Sequence, residues 1–260
     1  MMEKLISIDL KADFGFLRKP DTNDGISMSY NMLHKPGLLG IFGAILGMEG
    51  YQKRGVLPEY YQKLKDLKVG IEPLDHQNGN FSKTTIVYTN TVGYANKDGN
   101  FIAYENTLIR PSYRVYAAVE ESHPLIAYLK NGQAEYIAYL GKNEYPIWWE
   151  NFREYELKLF RFDQDFEVRT LFVKKQPIKN DDANSKEEVS VLDYFKGLNN
   201  FFFYFERLPV GFMEFETKRG KEFQYLMESF TYTNTVFGKN KDLVADNLFD
   251  IGSGMVVQLI

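Results

Sequence analysis

The first regular feature of the chain is a two-residue alternation of apolar and more polar positions. Residues 4–11 (KLISIDLK) alternate Ile6, Ile8 and Leu10 with more polar side chains, and this period predicts a half-buried strand. From Pro36 the period changes, because the apolar residues between positions 38 and 46 fall at helical spacing and proline is tolerated in a first helical turn. We therefore expect an opening strand, a long loop over residues 13–33, and a helix.

The same patterns continue to residue 140. Beyond a charged connector over residues 51–69 come two β-rich runs, 83–94 and 101–110, joined by a segment in which Asp98-Gly99 marks a hairpin turn. A strand at 113–119 precedes a short helix that starts at Pro124 and ends at Asn131-Gly132, and a strand follows at 135–140. With the 83–110 hairpin set aside as an insertion, the order is β-α-β-β-α-β, the ferredoxin-like arrangement.

The remainder of the chain has the pattern of strands. Residues 155–162 and 166–174 flank an Asp-Gln-Asp turn and predict a second hairpin, and 176–189 predict a polar surface loop. Further strands are expected at 200–207, 212–215, 223–237 and 255–260. The prediction is an α+β protein with a ferredoxin-like domain over residues 1–150 and a β-rich C-terminal domain over 151–260.

Composition narrows the classes of function. The 31 basic and 35 acidic residues give a net charge of -4, which disfavours a free-standing, charge-driven nucleic-acid binder. The absence of cysteine excludes disulfides and thiolate zinc sites and fits the cytoplasm. The apolar run over 36–48 contains four glycines and, at 13 residues, is shorter than the roughly 20 that cross a bilayer, so no membrane association is expected. These glycines predict close approach of the helix backbone to a sheet.

Two groups of residues suggest chemistry. Three histidines lie far apart, which makes a three-histidine metal site improbable, and neither metal nor cofactor is predicted. Tyr30, His34 and Lys35 are a trio that suits metal-independent ribonuclease chemistry, although His34 and Lys35 also fit a helix start. Between residues 83 and 114, tyrosines alternate with lysines and arginines, a pattern typical of single-strand binding but also of an ordinary amphipathic hairpin.

Four segments resemble one family, the fifth CRISPR-associated protein family, which is the RAMP-type subunit at the 5′ handle of crRNA in type I Cascade. Residues 35–47 (KPGLLGIFGAILG) are similar to the family's "GLLGAILG" helix, and 110–116 (RPSYRVY) resemble its "P-x-Y-x-I-Y" strand. Residues 135–146 (EYIAYLGKNEYP) resemble its "P-x-Y-L-G-R/K-S/N-E" segment, and 206–209 (ERLP) match "E-R-L-P". The chain is most similar to the type I-B members.

The resemblance implies a non-catalytic, RNA-binding subunit in antiviral defence, without a cofactor. Its partners would be the crRNA 5′ handle, the Cascade backbone subunit and the Cascade large subunit, with contact to target DNA near the protospacer-adjacent motif left open. The 83–110 hairpin would be the thumb that folds over the RNA. The residues carried over from the family's motifs are Arg18, Lys19, Lys35 and Lys142, and those added because they flank the same elements are Tyr30, Tyr113 and Arg114.

Two alternatives remain open at this stage. The type I-C branch of the family processes precursor crRNA with a Tyr, Lys and His trio in which Lys and His are adjacent, whereas here His34-Lys35 stands in reverse order and in another segment. A metal-independent endoribonuclease is therefore the runner-up. The third reading is a protein-interaction module whose tyrosines and exposed strand edges bind partner subunits.

Overall fold

The computed structural model describes residues 3–20, 25–89, 102–173, 201–217, 220–239 and 246–260. This part of the chain contains fifteen strands and three helices, so it is rich in β-structure and has few helices. The strands are β1 Glu3–Ala12, β2 Phe14–Gly15, β3 Leu17–Arg18, β4 Ile26–Tyr30, β5 Lys68–Leu74, β6 Lys83–Thr89, β7 Ile102–Ile109, β8 Ser112–Glu120, β9 Ile147–Glu156, β10 Phe166–Val168, β11 Phe203–Thr217, β12 Gly220–Thr233, β13 Val236–Phe237, β14 Leu248–Gly252 and β15 Met255–Gln258. The helices are α1 Lys35–Ile45, α2 Glu59–Leu64 and α3 Pro124–Asn131. The predicted turn at 95–100 and loop at 176–189 lie outside the described residues.

A four-stranded antiparallel sheet forms the centre, in the order β5-β8-β1-β9. The predicted strands at 4–11 and 113–119 are confirmed as β1 and β8. Two other assignments are wrong. The second strand of the sheet is β5, which begins at the end of the segment interpreted as a connector and continues beyond it. The fourth strand is β9, and residues 135–140 are not part of the sheet. β9 also crosses the predicted domain boundary at residue 150.

Residues 135–140 do not join the sheet because their backbone groups bond elsewhere. The amides of Glu135 and Tyr136 donate to the carbonyls of Ile45 and Ala44, at the C-terminal end of α1. The carbonyl of Leu140 accepts from the amide of Phe16. Since the last carbonyls of a helix need partners from outside it, this segment closes the end of α1 instead of extending the sheet.

The helices cover one face of the central sheet. Apolar residues of β1 (Ile6, Ile8, Leu10) and α1 (Leu38, Leu39, Phe42) belong to one buried cluster. His34 and His123 cap α1 and α3, a proline lies in the first turn of each helix, and α3 ends at Gly132 with a φ of 65°, as predicted. Gly43 shows why α1 contains glycine: a Cβ there would overlap the Cβ of Tyr60 on α2. The close approach is thus to a helix, whereas the prediction named a sheet.

The opposite face is partly covered by a second sheet in the order β13-β10-β15-β14. Leu5 and Tyr116 of the central sheet pack there against Phe249, Val257 and Leu259. The predicted hairpin of 155–162 with 166–174 is wrong, because β10 pairs with β13 and β15 instead. Its strand partners come from the C-terminal part of the chain.

A five-stranded sheet of β2, β7, β4, β3 and β6 and a two-stranded ribbon of β11 and β12 complete the fold. β6 and β7 pair antiparallel from Lys83 opposite Leu108 to Thr89 opposite Ile102, which confirms the arms of the predicted 83–110 hairpin. β11 and β12 form a longer antiparallel ribbon with a register shift between Pro209 and Gly211. The strands predicted at 200–207 and 212–215 are therefore parts of one strand.

Candidate nucleic-acid interface

A groove of about 690 Å³ runs along the exposed side of α1. The helix supplies its floor, residues 136–142 and 16–18 supply one wall, and Tyr51, Tyr60 and the β11–β12 ribbon supply the other. The floor residues are Pro36, Gly37, Gly40, Ile41 and Ala44. Because most of these side chains are small, a ligand in the groove would approach the backbone of α1 closely.

Exposed tyrosines stand along this groove. Tyr136 and Tyr139 on one wall are 51% and 45% exposed, and Tyr51 on the other is 62% exposed. Ile137, between the first two, is 80% exposed. Flat rings with accessible faces are the groups on which unpaired bases stack, and this stacking tolerates any base. Sequence reasoning missed these residues because it placed 135–140 in a strand.

Arg18 and Lys142 are the two predicted RNA-binding residues that the structure brings together in the groove. Arg18 is exposed on its wall, beside Phe16 and Leu17. The position is held by a close contact: Gly141, at a φ of 84°, lies so near the carbonyl of Phe16 that a Cβ would overlap it. The segment that contains Leu140 and Gly141 and the segment that contains Phe16 and Arg18 therefore meet at one point of the groove wall.

The ammonium of Lys142 already has protein partners. Its Nζ donates to Oε2 of Glu105 at 2.8 Å and lies 4.1 Å from the ring centroid of Tyr88. Burial lowers the pKa of Lys142, but the hydrogen bond and charge of Glu105 outweigh this and raise it overall. Because Tyr88 and Glu105 belong to β6 and β7, Lys142 ties the middle of the described β6–β7 ribbon to the groove wall.

His34 closes the floor at the N-terminus of α1. It is 5% exposed, and its Nδ1 accepts a hydrogen bond of 3.1 Å from the amide of Gly37, as an N-cap. The rings of Tyr30 and Tyr225 approach it edge-on, with centroids 5.3 and 5.7 Å away. Burial lowers the pKa of His34 to about 3, so the ring is neutral at pH 7.

Lys19 and Tyr30 lie beside each other but not in the groove. The Nζ of Lys19 is 3.1 Å from Oε1 of Glu206 and 5.1 Å from the ring centroid of Tyr30. Tyr30 is 2% exposed, and its hydroxyl donates to Sδ of Met227. No face of this ring is open to a base, so the predicted contact of Tyr30 with RNA has no surface in this structure.

Lys35 points away from the groove. Its Nζ donates to the backbone oxygen of Ile260 at 3.1 Å, in a separate small pocket that includes Val69 and Gly70. Burial lowers the pKa of Lys35. The prediction of Lys35 as an RNA contact is therefore corrected, because the first residue of α1 directs its side chain toward the C-terminal segment and not into the groove.

Tyr113 and Arg114 occupy neither wall of the groove. Tyr113 is 1% exposed and donates its hydroxyl to the carbonyl of Asn31 at 2.8 Å. Arg114 lies on the opposite face of the central sheet and bonds both carboxylate oxygens of Asp9, at 2.6 and 2.9 Å. Both side chains stabilise the fold, and neither forms part of the candidate interface.

The described part of the chain offers no group of three or more histidine, aspartate or glutamate side chains that could hold a metal ion. Among the same residues, no helix has the length and apolar character needed to cross a membrane.

No protein-family model and no curated protein matches the chain. Several solved structures resemble it. One described as "Crystal structure of Cas protein" is 18% identical over 54% of this chain, with a TM-score of 0.35, and the chain spans 57% of its length. "CRISPR RNA-guided surveillance complex" is 10% identical over 90% of each chain, with a TM-score of 0.46. "Cryo-EM structure of the Type III-B Cmr-beta bound to cognate target RNA and AMPPnP, state 1" is 8% identical over 98% of this chain and 99% of the other, with a TM-score of 0.48. These neighbours are CRISPR-associated proteins or complexes, and the likeness concerns the path of the backbone.

Proposed function

We propose that the chain binds single-stranded RNA in the groove along α1, as the non-catalytic subunit that holds the 5′ handle of crRNA in a type I Cascade complex. The observation that carries this proposal is the meeting of two resembling segments: residues 35–47 form the floor, and residues 135–146 form a wall. A narrow floor with little side-chain bulk, exposed tyrosines and Arg18 at the wall suit an unpaired strand.

The architecture supports the same proposal. The sheet order β5-β8-β1-β9 has all neighbours antiparallel, with α1 and α2 between the first two strands in sequence and α3 between the last two. In the proposal, these strands and helices form the β-α-β-β-α-β unit of a ferredoxin-like domain. The β6–β7 ribbon is then the thumb, and Lys142 and Glu105 join the middle of its described part to the groove wall.

The direct test measures binding of the purified chain to the handle RNA of its own repeat against a scrambled strand of equal length. We expect preference for the handle and a loss of about fivefold in affinity for Arg18→Ala, since one phosphate contact is removed. Arg161→Ala is the matched control, because Arg161 is exposed and does not line the groove. Equal affinity for both strands, also within assembled complexes, would refute handle recognition.

The endoribonuclease alternative receives no support from the geometry of its trio. His34 uses Nδ1 to cap α1, Lys35 donates to Ile260, and the hydroxyl of Tyr30 donates to Met227. Because the three functional groups point to different partners, they share no site at which a phosphate could react. Incubation of repeat RNA with the chain and a chelator tests this: we expect intact RNA, whereas cleavage abolished by His34→Ala would establish the enzyme.

The protein-interaction alternative is tested on the ribbon. Removal of residues 95–100 shortens the thumb without changing the groove residues. We expect weaker RNA crosslinking as well as weaker partner binding, because the proposed thumb touches both. Loss of partner binding with unchanged crosslinking would favour a module that contacts protein alone.

A further inference from the structure

The His34 side chain has one nitrogen whose role the fold does not explain. Nδ1 accepts from the Gly37 amide, so in the neutral ring the proton is on Nε2. Among the described residues, the bond from Gly37 is the one hydrogen bond that this side chain makes. The ring nevertheless lines the groove while 5% exposed. Nε2 is not among the buried side-chain atoms that lack a partner in the described part of the chain, so this donor reaches the groove instead of being enclosed by protein.

We infer that Nε2–H of His34 is a binding group of the groove, a neutral donor that recognises an uncharged acceptor, a carbonyl oxygen or ring nitrogen, on one nucleobase of the bound strand. The inference rests on the proposed function, because it requires a strand in the groove. It assigns His34 a role in specificity, apart from its structural role as the N-cap.

The surroundings of His34 favour a base over a phosphate. Its neighbours are the rings of Tyr30 and Tyr225 and the side chain of Pro36, which carry no charge. The ring itself is neutral at pH 7, so it offers no countercharge to a phosphate. Transfer of an unpaired anion to such a place is costly, whereas a base carries acceptors and a flat apolar face. Arg18, on the exposed wall, is the better partner for the backbone phosphates.

Two substitutions separate the two nitrogens of the ring. His34→Asn places an amide oxygen near the position of Nδ1 and preserves the cap, but it lacks a donor at Nε2. His34→Gln reaches the position of Nε2 with an amide N–H, but it removes the cap. The unfolding temperature should fall only in the variant that loses the cap, since that loss costs about 1 kcal/mol. RNA recognition should weaken only in the variant that loses the donor.

The experiment measures affinity for handle RNA in which one nucleotide at a time is replaced by an abasic ribose. For the wild type we expect one position at which the replacement weakens binding about five- to tenfold, the equivalent of one hydrogen bond. His34→Asn should bind the intact strand weaker by that factor, lose the sensitivity at that position, and unfold at the wild-type temperature. His34→Gln should keep the sensitivity and unfold at a lower temperature.

A wild-type abasic profile and affinity in His34→Asn would overturn the inference and leave the proposed function standing, provided that Arg18→Ala still weakens binding. If the wild type binds no handle RNA, the proposed function fails first. A loss of sensitivity in both His34 variants, with both folded, would also overturn the inference, because donor and cap would then not be separable.

Discussion

The groove side of the molecule and the opposite face of the central sheet hold similar side chains with different exposure. On the groove side, Arg18 is exposed and the tyrosine rings have open faces. On the other face, Arg114 lies in register between Asp9 and Glu72 on neighbouring strands, and both of its bonds to Asp9 are short. Cross-strand neighbours at this distance interact directly. Arg114 is therefore held by the carboxylates of the strands beside it and is not available to RNA.

The largest expected effect comes from the ion pair that fastens the second sheet to the central one. Glu72 is fully buried and accepts from Arg169, at 2.7 and 3.0 Å, and from the Tyr116 hydroxyl. Arg169→Leu leaves that carboxylate without its cation, and we expect a loss of about 3 kcal/mol in the free energy of unfolding, measured with urea. Handle RNA should bind the folded protein unchanged.

Arg161→Leu is the control for this substitution, because Arg161 is exposed, and it should change stability by less than about 0.5 kcal/mol. Weakened RNA binding by folded Arg169→Leu would contradict the separation of the two faces. It would mean that the groove depends on how the second sheet is attached.

On lowering the pH, the stability that His34 contributes on the groove side should be lost before that of the Asp9–Arg114 ion pair on the other face. The folded pKa of His34, about 3, lies below its unfolded value of 6.5. Between these values the unfolded chain binds more protons, so stability falls as pH falls. From pH 7.5 to pH 5 we expect a loss of about 2 kcal/mol from His34. Although burial raises the pKa of Asp9, its bonds to Arg114 and Asn151 lower it overall, so that ion pair persists at pH 5.

The measurement is the free energy of unfolding against pH for the wild type and His34→Asn. The difference between the two curves isolates His34 from His76 and His123, whose pKa values burial also lowers. The wild type should lose about 2 kcal/mol more than the variant. Parallel curves would show that His34 takes up a proton in the folded state and is less buried than the structure indicates.

Two glycines of α1 provide a smaller, paired test. A Cβ at Gly43 would overlap Tyr60, whereas one at Gly40 would meet only the Tyr60 ring at 3.7 Å, an ordinary contact. Gly43→Ala should therefore lose about 1–2 kcal/mol of stability, and Gly40→Ala should gain up to about 1 kcal/mol from helix propensity. Equal effects in thermal unfolding would mean that α2 moves freely to accept the methyl group.

Sequence patterns predicted the elements whose signals are local. The alternation located β1, although residues 5–10 are buried on both faces of the sheet and not on one as predicted. The first-turn prolines located α1 and α3, and Gly132 marked the end of α3. β5 was missed because Gly70, Glu72 and Pro73 are poor strand residues. These residues are explained by tertiary contacts of β5. A Cβ at Gly70 would lie 2.7 Å from the carbonyl of Gln258, and the negative charge of Glu72 is paired with Arg169.

The candidate site was predictable only in part, for the same reason. The resemblance pointed to Arg18 and Lys142, which do meet at the groove. Tyr30 and Tyr113 were chosen because they flank the elements that carry the resemblance, but their hydroxyls bond distant partners, Met227 and the carbonyl of Asn31, and both rings are buried. Spacing along the chain gives no information on such contacts, since they depend on which segments the fold brings together.

The smallest expected effect concerns Lys142, which resemblance predicts as an RNA contact and geometry shows bonded to Glu105. A phosphate contact to a single strand contributes about 0.7 to the slope of log affinity against log salt. Arg18→Ala should lower that slope by this amount. Lys142→Gln should leave it unchanged and lose at most about twofold in affinity, since the ammonium serves the ribbon.

Glu105→Gln sharpens the comparison, because it frees Lys142: if its slope rises and that rise disappears in the double variant, the ion pair is what keeps Lys142 from the RNA. A lower slope in Lys142→Gln alone would instead make Lys142 a phosphate contact like Arg18.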